Sequence, residues 1–505
     1  MKNELSEADI LKYIRDYQKN VIPELDKLWK YSQALNTEIL GRTAPDPNNP
    51  DNKIPIGYGR KIVNTYTGYA YRPGYCSYKP NIVSRISIEE ELEAEVDEVP
   101  ESKEETYVNA IQKVFDKNNE ALKTSRNGRN AAIFGLSYEI LYMEGELKAD
   151  TLSLTAEPRF FVCDPRELIL LYDFSSEPKK KFAIRFYLIE EDVYKVELLT
   201  KKIVYFYEMK KKANEQDEQE WVVTKSNLPD ANTYFGDVPV SPYYFDDTMT
   251  GIIRPVIKLI DALDKLYSDS MNEFDRFAYA YLLLQEYNLV DPIKKKEPGV
   301  YAQALAMLKR YRVFENLKKD SKISFLTKDI PTEFIKLTGD LLRDQIHIQS
   351  HVPDFTNEKM SGASGIAIQR LVFDFENMVS SCEAEFDVGL NDRIKMITFA
   401  LKALGRVEKD SELDTNTVII IHKRNLPQNI DEFVTVAVKM KTAGFSAFAI
   451  ASYMPDEVIP NVKIELARQK KEAEALMGED IESALVDETI SEEEDDDEEE
   501  EMKEE

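Results

Sequence analysis

Three groups of residues in this chain have types and spacings that could support chemistry. His347 and His351 stand four apart on a predicted helix, so both imidazoles fall on one face and offer half of a metal site. The same pair also reads as ordinary residues at a helix end. The stretch from Pro353 to Gly365 (Pro-Asp-Phe-Thr-Asn-Glu-Lys-Met-Ser-Gly-Ala-Ser-Gly) ends in small residues just ahead of a predicted helix, where backbone N–H groups can hold an anion. Capping and a flexible turn account for the same composition. The third group is basic. Lys294, Lys295, Lys296, Lys309, Arg310, Arg312, Lys318, Lys319 and Lys322 face only Glu297, Glu315 and Asp320 in their own stretch, with Tyr301, Tyr311 and Phe314 between them. That mixture suits nucleic-acid contact, an acidic partner or a solvated face.

Enzyme signatures are missing. No Gly is followed by Lys, so there is no phosphate-binding P-loop, and Gly57-Tyr58-Gly59 lacks the third glycine of a dinucleotide fingerprint. No G-x-S-x-G, H-E-x-x-H or C-x-x-C occurs. Cys76, Cys163 and Cys382 are odd in number and far apart, which excludes a disulfide framework and an all-cysteine zinc site. No catalytic residue, metal or cofactor is expected.

Charge narrows the function class. The chain has 505 residues and a net charge of -28, and 17 acids lie between Glu479 and Glu505. A second acidic run spans Glu89 to Glu105. Such a balance does not suit a protein that coats DNA, because phosphate affinity needs a broad positive surface. No apolar run approaches the ~18 residues of a membrane helix. The charged first twenty residues lack the apolar segment of a signal peptide, and a reducing, intracellular setting is expected.

The elements that must position these groups follow from periodicity. Helical spacing runs through residues 8–40, part of Lys53–Tyr71, and Tyr107–Met143. Between Arg159 and Val223, six short β-branched or aromatic runs alternate with turn residues, which predicts an antiparallel sheet. Three long helices are then predicted: Pro255 to Tyr287, one opened by Pro331 and ending near Ser350, and one from Leu371 to Leu404 closed by Gly405. The narrow apolar stripes of these helices predict packing against copies or neighbours. A short strand at Val418–His422 and further helices from Ile430 to Met477 complete the expected order.

This order of parts resembles the portal proteins of tailed bacteriophages. The resemblance rests on Ile257-x-x-Ile260-Asp261-Ala262-x-Asp264-Lys265-x-x-Ser268-Asp269-Ser270-x-Asn272 and on the loop Ser350-His351-Val352-Pro353-Asp354-Phe355-Thr356 closing in Ser364-Gly365-Ile366-Ala367. Ile54-Pro55 to Gly68-Tyr69, Phe134-Gly135-Leu136-Ser137-Tyr138-Glu139 and Asn425-Leu426-Pro427 also fit, so it extends over roughly Ile54 to Met477. The two acidic runs match nothing in the family.

The resemblance implies an α+β subunit assembled as a ring, typically of about twelve copies, around a channel at one capsid vertex. On the family plan residues 1–250 form an N-terminal and wing domain of strands and helices. Residues 251–287 are a first stem helix, 288–330 a clip and 331–350 a second stem helix. Residues 351–365 are a tunnel loop, 366–424 the long helix and return strand of the wing, and 425–478 a crown; composition, not the family, makes 479–505 an acidic disordered tail. The implied channel residues are His351, Pro353, Asp354, Phe355, Thr356, Asn357, Glu358, Lys359, Ser364 and Gly365. The implied docking residues are Lys294, Lys295, Lys296, Lys309, Arg310, Arg312, Lys318 and Lys319. The implied stem residues are Asp261, Asp264, Lys265, Asn272, Lys336 and Arg343. The implied partners are other copies of the chain, a terminase, a head-completion or adaptor protein, the major capsid and scaffolding proteins, and double-stranded DNA in transit. No membrane is implied, and the expected location is the virion after assembly in the host cytoplasm. Two other classes compete: an enzyme acting on nucleic acid through clustered carboxylates and a metal ion, and a scaffolding or interaction protein with long helical arms and no DNA.

Overall fold

The computed structural model describes residues 4–43, 49–81, 102–145, 156–213, 219–278, 281–285, 322–326, 332–355, 372–408, 413–424, 430–454 and isolated positions within 299–310 and 458–471. The chain divides into two compact units. One comprises Met1–Lys79 with Val108–Asn425, the other Pro80–Tyr107 with Leu426–Glu505.

The chain opens with helices α1 (Glu7–Asn20), α2 (Ile22–Ser32), α3 (Thr37–Leu40) and α4 (Tyr58–Ala70), then strand β1 (Cys76–Pro80). A capping box starts α1: the Asp9 N–H donates to Ser6 Oγ at 3.3 Å and the Ser6 N–H donates to the Asp9 carboxylate at 3.1 Å. Helices α5 (Lys103–Asn118) and α6 (Glu120–Phe134) lead to β2 (Leu136–Glu144) and β3 (Glu157–Cys163). Strands β4 (Leu168–Tyr172), β5 (Lys180–Glu190), β6 (Val193–Leu199), β7 (Ile203–Ala213), β8 (Gln219–Lys225), β9 (Ala231–Asn232) and β10 (Val240–Tyr244) follow.

Of the six runs expected to form one antiparallel sheet between Arg159 and Val223, the last five do so, while the first, Phe160–Cys163, pairs with β2 in a separate sheet. Strands β4 to β8 lie in sequence order, with β9 also pairing β7, and all of these pairs are antiparallel. Ile10 and Ile14, one helical turn apart on α1, are buried on one face against Phe182, Ile184, Phe186, Val196, Leu198, Met209 and Val223. A three-stranded antiparallel sheet, β10-β2-β3, contributes to a second core with Leu168, Ala183 and Leu199 of the larger sheet. Residues 136–144 are therefore a strand, not the end of the helical stretch expected over Tyr107–Met143. The switch is made at Gly135. Its φ is +88°, and a Cβ there would collide with the Met249 carbonyl, so only glycine fits.

Helix α7 (Ile257–Ala278), strands β11 (Tyr281–Gln285) and β12 (Lys322–Leu326), helices α8 (Thr332–Ser350) and α9 (Phe373–Ala403), and β13 (Val418–His422) complete the first unit. Helix α7 stops short of the expected Tyr287. The run at 281–285 pairs antiparallel with β12 instead, because its Leu-rich sequence fits either state and the partner strand decides. The long helix α9 has 31 residues. Its expected stripe is buried within its own chain, from Phe375, Val379, Cys382 and Phe386 through Leu390, Ile394, Ile397 and Leu401. Of the copies or neighbours expected to cover this stripe, neighbours in the same subunit do so: β10 packs on it, Phe375 meets Tyr66 and Tyr69 of α4, and Phe386 meets Tyr71 and Tyr243. In the second unit, α10 (Ile430–Thr442) and α11 (Ala447–Tyr453) are joined by a contact of Phe433 and Tyr453, with ring centroids 5.6 Å apart.

One charged side chain organises the first unit's core. Arg393 on α9 is fully buried. Its Nε and Nη2 donate to the two carboxylate oxygens of Glu139 on β2, at 2.7 and 3.0 Å. Its Nη1 donates to Glu120 and Thr124 on α6, both at 2.9 Å. Tyr243 Oη, Asn127 Nδ2 and Tyr78 Oη donate to the same two carboxylates. The guanidinium also lies over the Phe160 ring, 4.8 Å from its centroid. Burial alone would favour loss of its proton, but Glu139 and its neighbours reverse that and hold the charge firmly. Gly389, one turn earlier, lets α9 approach β10 where a Cβ would strike Tyr243.

Arg393→Met should destabilise the subunit by about 3–5 kcal/mol, because two carboxylates are left buried and unpaired. Urea unfolding measures this. The further change of Glu120 and Glu139 to Gln in the same chain should recover part of the loss.

Candidate functional site

The residues singled out between Ile257 and Asn272 have a shared structural task. Residues 52–56 run extended along α7 and pair their N–H groups with its side chains. The Ile56 N–H donates to Asp264 Oδ1 at 2.8 Å, that of Ile54 to Ser268 Oγ at 3.0 Å, and that of Asn52 to Asn272 Oδ1 at 2.7 Å. The acceptors recur every fourth residue and the donors every second. Four helical residues rise about 6 Å, and two extended residues about 6.6 Å, so the two periods match over this length. Asp264, Ser268 and Asn272 are buried. Asn36 Nδ2 also donates to Asp264, Tyr31 Oη donates to Asp261, and Arg42 pairs with Asp269 at 2.6 Å. The expected stem residues Asp261, Asp264 and Asn272 therefore bind the chain's own N-terminal segment, while Lys265 and Lys336 are exposed. Arg343 is exposed and pairs with Asp340.

Helix α8 packs beside α7. Gly339 permits close approach: a Cβ there would lie 3.1 Å from Tyr267 Oη. Ile346 and Ser350 are buried on this side. The opposite side of α8 carries Phe334, Leu337, Leu341 and Ile348, each more than half exposed. At 100° per residue these four fall within about 60° of one another, so they form one stripe. Beside the helix pair, Ile54, Ile56, Tyr267, Met271, Phe274 and Ile335 line an open groove of about 530 Å³. Met271 and Phe274 are exposed in it. Leu263, part of the apolar stripe expected to meet copies or neighbours, is fully buried within the subunit.

The segment after α8 is held at its first residues. His347 Nδ1 lies 2.8 Å from the Val352 carbonyl, and Asp354 pairs with Lys61 of α4 at 2.8 Å. His351 has φ +55° and sits 2.8 Å from Asp374 at the start of α9. Pro353 is half-buried and Phe355 exposed. Thr356, Asn357, Glu358, Lys359, Ser364 and Gly365 lie outside the described residues. Of the basic residues expected to dock a partner, Arg310 is described and exposed. Lys294, Lys295, Lys296, Lys309, Arg312, Lys318 and Lys319 lie outside the described residues.

His347 and His351 thus bond to different partners. Among the described residues no group of three or more His, Cys, Asp and Glu is arranged to hold a metal ion. No helix among them is long and apolar enough to cross a membrane. His422, isolated in the sequence, has company in the structure: Asp387 at 3.1 Å from Nε2 and Cys76 Sγ at 3.5 Å from Nδ1. Burial opposes its charge, but the bond to Asp387 prevails and raises its pKa. Sequence reasoning missed this cluster and the Arg393 node, because their members lie up to 346 residues apart. Nothing local marks Arg393 beyond an arginine one residue before the buried Ile394.

Two comparisons with known proteins bear on most of the chain. The family model described as phage portal protein, SPP1 Gp6-like, matches residues 11–477. The portal protein of Bacillus phage SPP1 is 22% identical over 355 residues, which cover 68% of this chain. The chain spans 65% of that relative's length.

Asp264 gives a test of the ladder. Burial, partly offset by the bonds from Asn36 and the Ile56 N–H, pushes its pKa up to about 6. The folded state therefore holds a proton that the unfolded chain releases near pH 3.8. Stability should fall between pH 4 and about pH 6 and then level off, with a contribution on the order of 3 kcal/mol from this group. Asp264→Asn should remove that part of the decline in unfolding midpoints measured from pH 4 to 7.

Proposed function

This chain belongs to the SPP1 Gp6-like phage portal protein family, and on that premise we propose that its copies close into a ring at one capsid vertex, through which double-stranded DNA is packaged, retained and released. The observation that carries the proposal is the pair of apolar surfaces on helices α7 and α8. The stripe of Phe334, Leu337, Leu341 and Ile348 and the groove at Met271 and Phe274 lie on different sides of one helix pair. A self-complementary dimer needs one patch that meets itself. Two unlike patches suit a head-to-tail contact, and such a contact closes into a ring when the rotation per copy divides a full turn. On the family plan of about twelve copies, each stripe would enter the groove of the next subunit.

In this reading α7 and α8 are the stem, the sheets with α9 are the wing, and the second unit includes the crown. Residues 288–330 are the clip, where terminase and then a head-completion protein would dock, with Lys294, Lys295 and Lys296 supplying charge. Residues 351–365 are the tunnel loop, and capsid and scaffolding proteins would surround the ring. The role is structural and not catalytic. The acidic stretch after Gly478 would line the inner mouth and repel DNA there, since unpaired like charges within about 8 Å repel.

Charging the stripe tests the proposal. Leu337→Asp and Leu341→Asp should leave the subunit folded, because both positions are exposed, yet cut the yield of rings at least about tenfold. That factor corresponds to about 1.4 kcal/mol per interface, below the cost of burying an unpaired charge. Circular dichroism checks the fold and particle imaging counts rings. Normal rings from both variants would remove the stripe from the interface.

A further inference from the structure

Two adjacent helices carry cations almost without acids. Helix α4 has Arg60 and Lys61 and no acidic residue. Helix α6 has Lys123, Arg126 and Arg129, and its one acid, Glu120, is bound by the buried Arg393. In a chain of net charge -28 this distribution is unusual. The two lysines are occupied: Lys61 pairs with Asp354, and Lys123 donates to the Phe160 carbonyl at 2.6 Å. The three arginines differ. Arg60 and Arg126 are exposed and Arg129 is half-buried. None has a carboxylate partner among the described residues.

They also lie together. Arg60 and Asn64 are four apart on α4 and share its exposed face. Arg129 Nη1 donates to Asn64 Oδ1 at 2.8 Å, which brings α6 to that face. Arg126 stands one turn before Arg129. The Arg129 guanidinium is pushed below its ordinary pKa, by partial burial first and then by Arg60. Cations held side by side repel unless an anion joins them. The space over Gly68, one turn past Asn64, is open. An arginine fork matches phosphate geometry and holds its charge at any physiological pH.

We propose that the exposed face of α4 and α6 holds the phosphate backbone of double-stranded DNA through Arg60, Arg126 and Arg129. The proposal rests on the portal reading, which brings DNA to this protein. It adds a second basic surface to the one expected from the sequence at Lys294–Lys322, assembled from residues up to 69 positions apart, between Arg60 and Arg129.

The test uses the full chain and a fluorescein-labelled 30-base-pair duplex, with affinity measured by anisotropy over a series of salt concentrations. Arg60→Gln with Arg126→Gln changes two exposed side chains and spares the Arg129–Asn64 bond. This variant should bind roughly tenfold more weakly at 100 mM salt, with a salt slope shallower by about 0.9 for each phosphate that is no longer neutralised. Arg60→Lys with Arg126→Lys should keep most of the slope. Equal affinity and slope for the Gln variant and the natural chain would overturn the proposal. So would a difference that emerges only after truncation at Gly478, since the acidic tail would then be the occupant. Imaging the same samples separates the two readings. Rings with unchanged DNA affinity defeat this inference alone, and a chain that forms no rings defeats the portal assembly.

Discussion

An extended backbone laid against a helix must find acceptors for its N–H groups, and that demand shapes the region on which the proposed assembly depends. Residues 52, 54 and 56 meet Asn272, Ser268 and Asp264 in turn. Each neutral bond contributes only about 1 kcal/mol net, but an unmade one in a buried setting costs more. The ladder therefore fixes the register of α7 against the N-terminal segment. It also turns the apolar edge of that segment, Ile54 and Ile56, toward Met271 and Phe274. The groove exists because the polar side of α7 is already satisfied. Helix α8, set against α7 at Gly339, then has an exposed outer face with no cover among the described residues.

The rest of the first unit follows a different rule. Arg393 brings α9, α6 and β2 to one point, and its charged partners are two carboxylates. A buried pair of this kind is poor evidence of high stability, because desolvation offsets much of the attraction. It is strong evidence of a fixed arrangement, since removing any member leaves a charge with no water. The long helix is thereby tied to the three-stranded sheet and to α6, and buries its apolar stripe at home. Two long helices with similar sequence patterns end with opposite fates: α9 is enclosed by its own subunit, and α8 presents its stripe outward.

That contrast marks where the sequence could be read and where it could not. Periodicity located the antiparallel strands from Phe160 to Val223, the helix after Pro331, and Val418–His422 as a strand. Gly405, at φ +70°, ends α9 as its type suggested. Periodicity did not say what covers each stripe, because an apolar face looks the same whether a sheet or another copy meets it. It also misread Tyr281–Gln285, a Leu-rich run whose strand state is settled by pairing with Lys322–Leu326. The Asp264–Ser268–Asn272 spacing was visible, but its partners lie more than 200 residues earlier and left no local trace. The arginine cluster of α4 and α6 is invisible to a scan for charge runs, since its members are separated in sequence and joined only by helix packing. The family itself was legible from the order of its parts, and the family model spanning residues 11–477 agrees with that reading.

The central claim is that copies of this subunit join through unlike patches into a closed ring. Native mass measurement of the purified chain tests it most directly. A subunit of 58.2 kDa should give one dominant mass at a whole multiple of that value, and images of the same sample should show rings with a central hole. A single species at 58.2 kDa across protein and salt concentrations, with no rings in the images, would contradict the account.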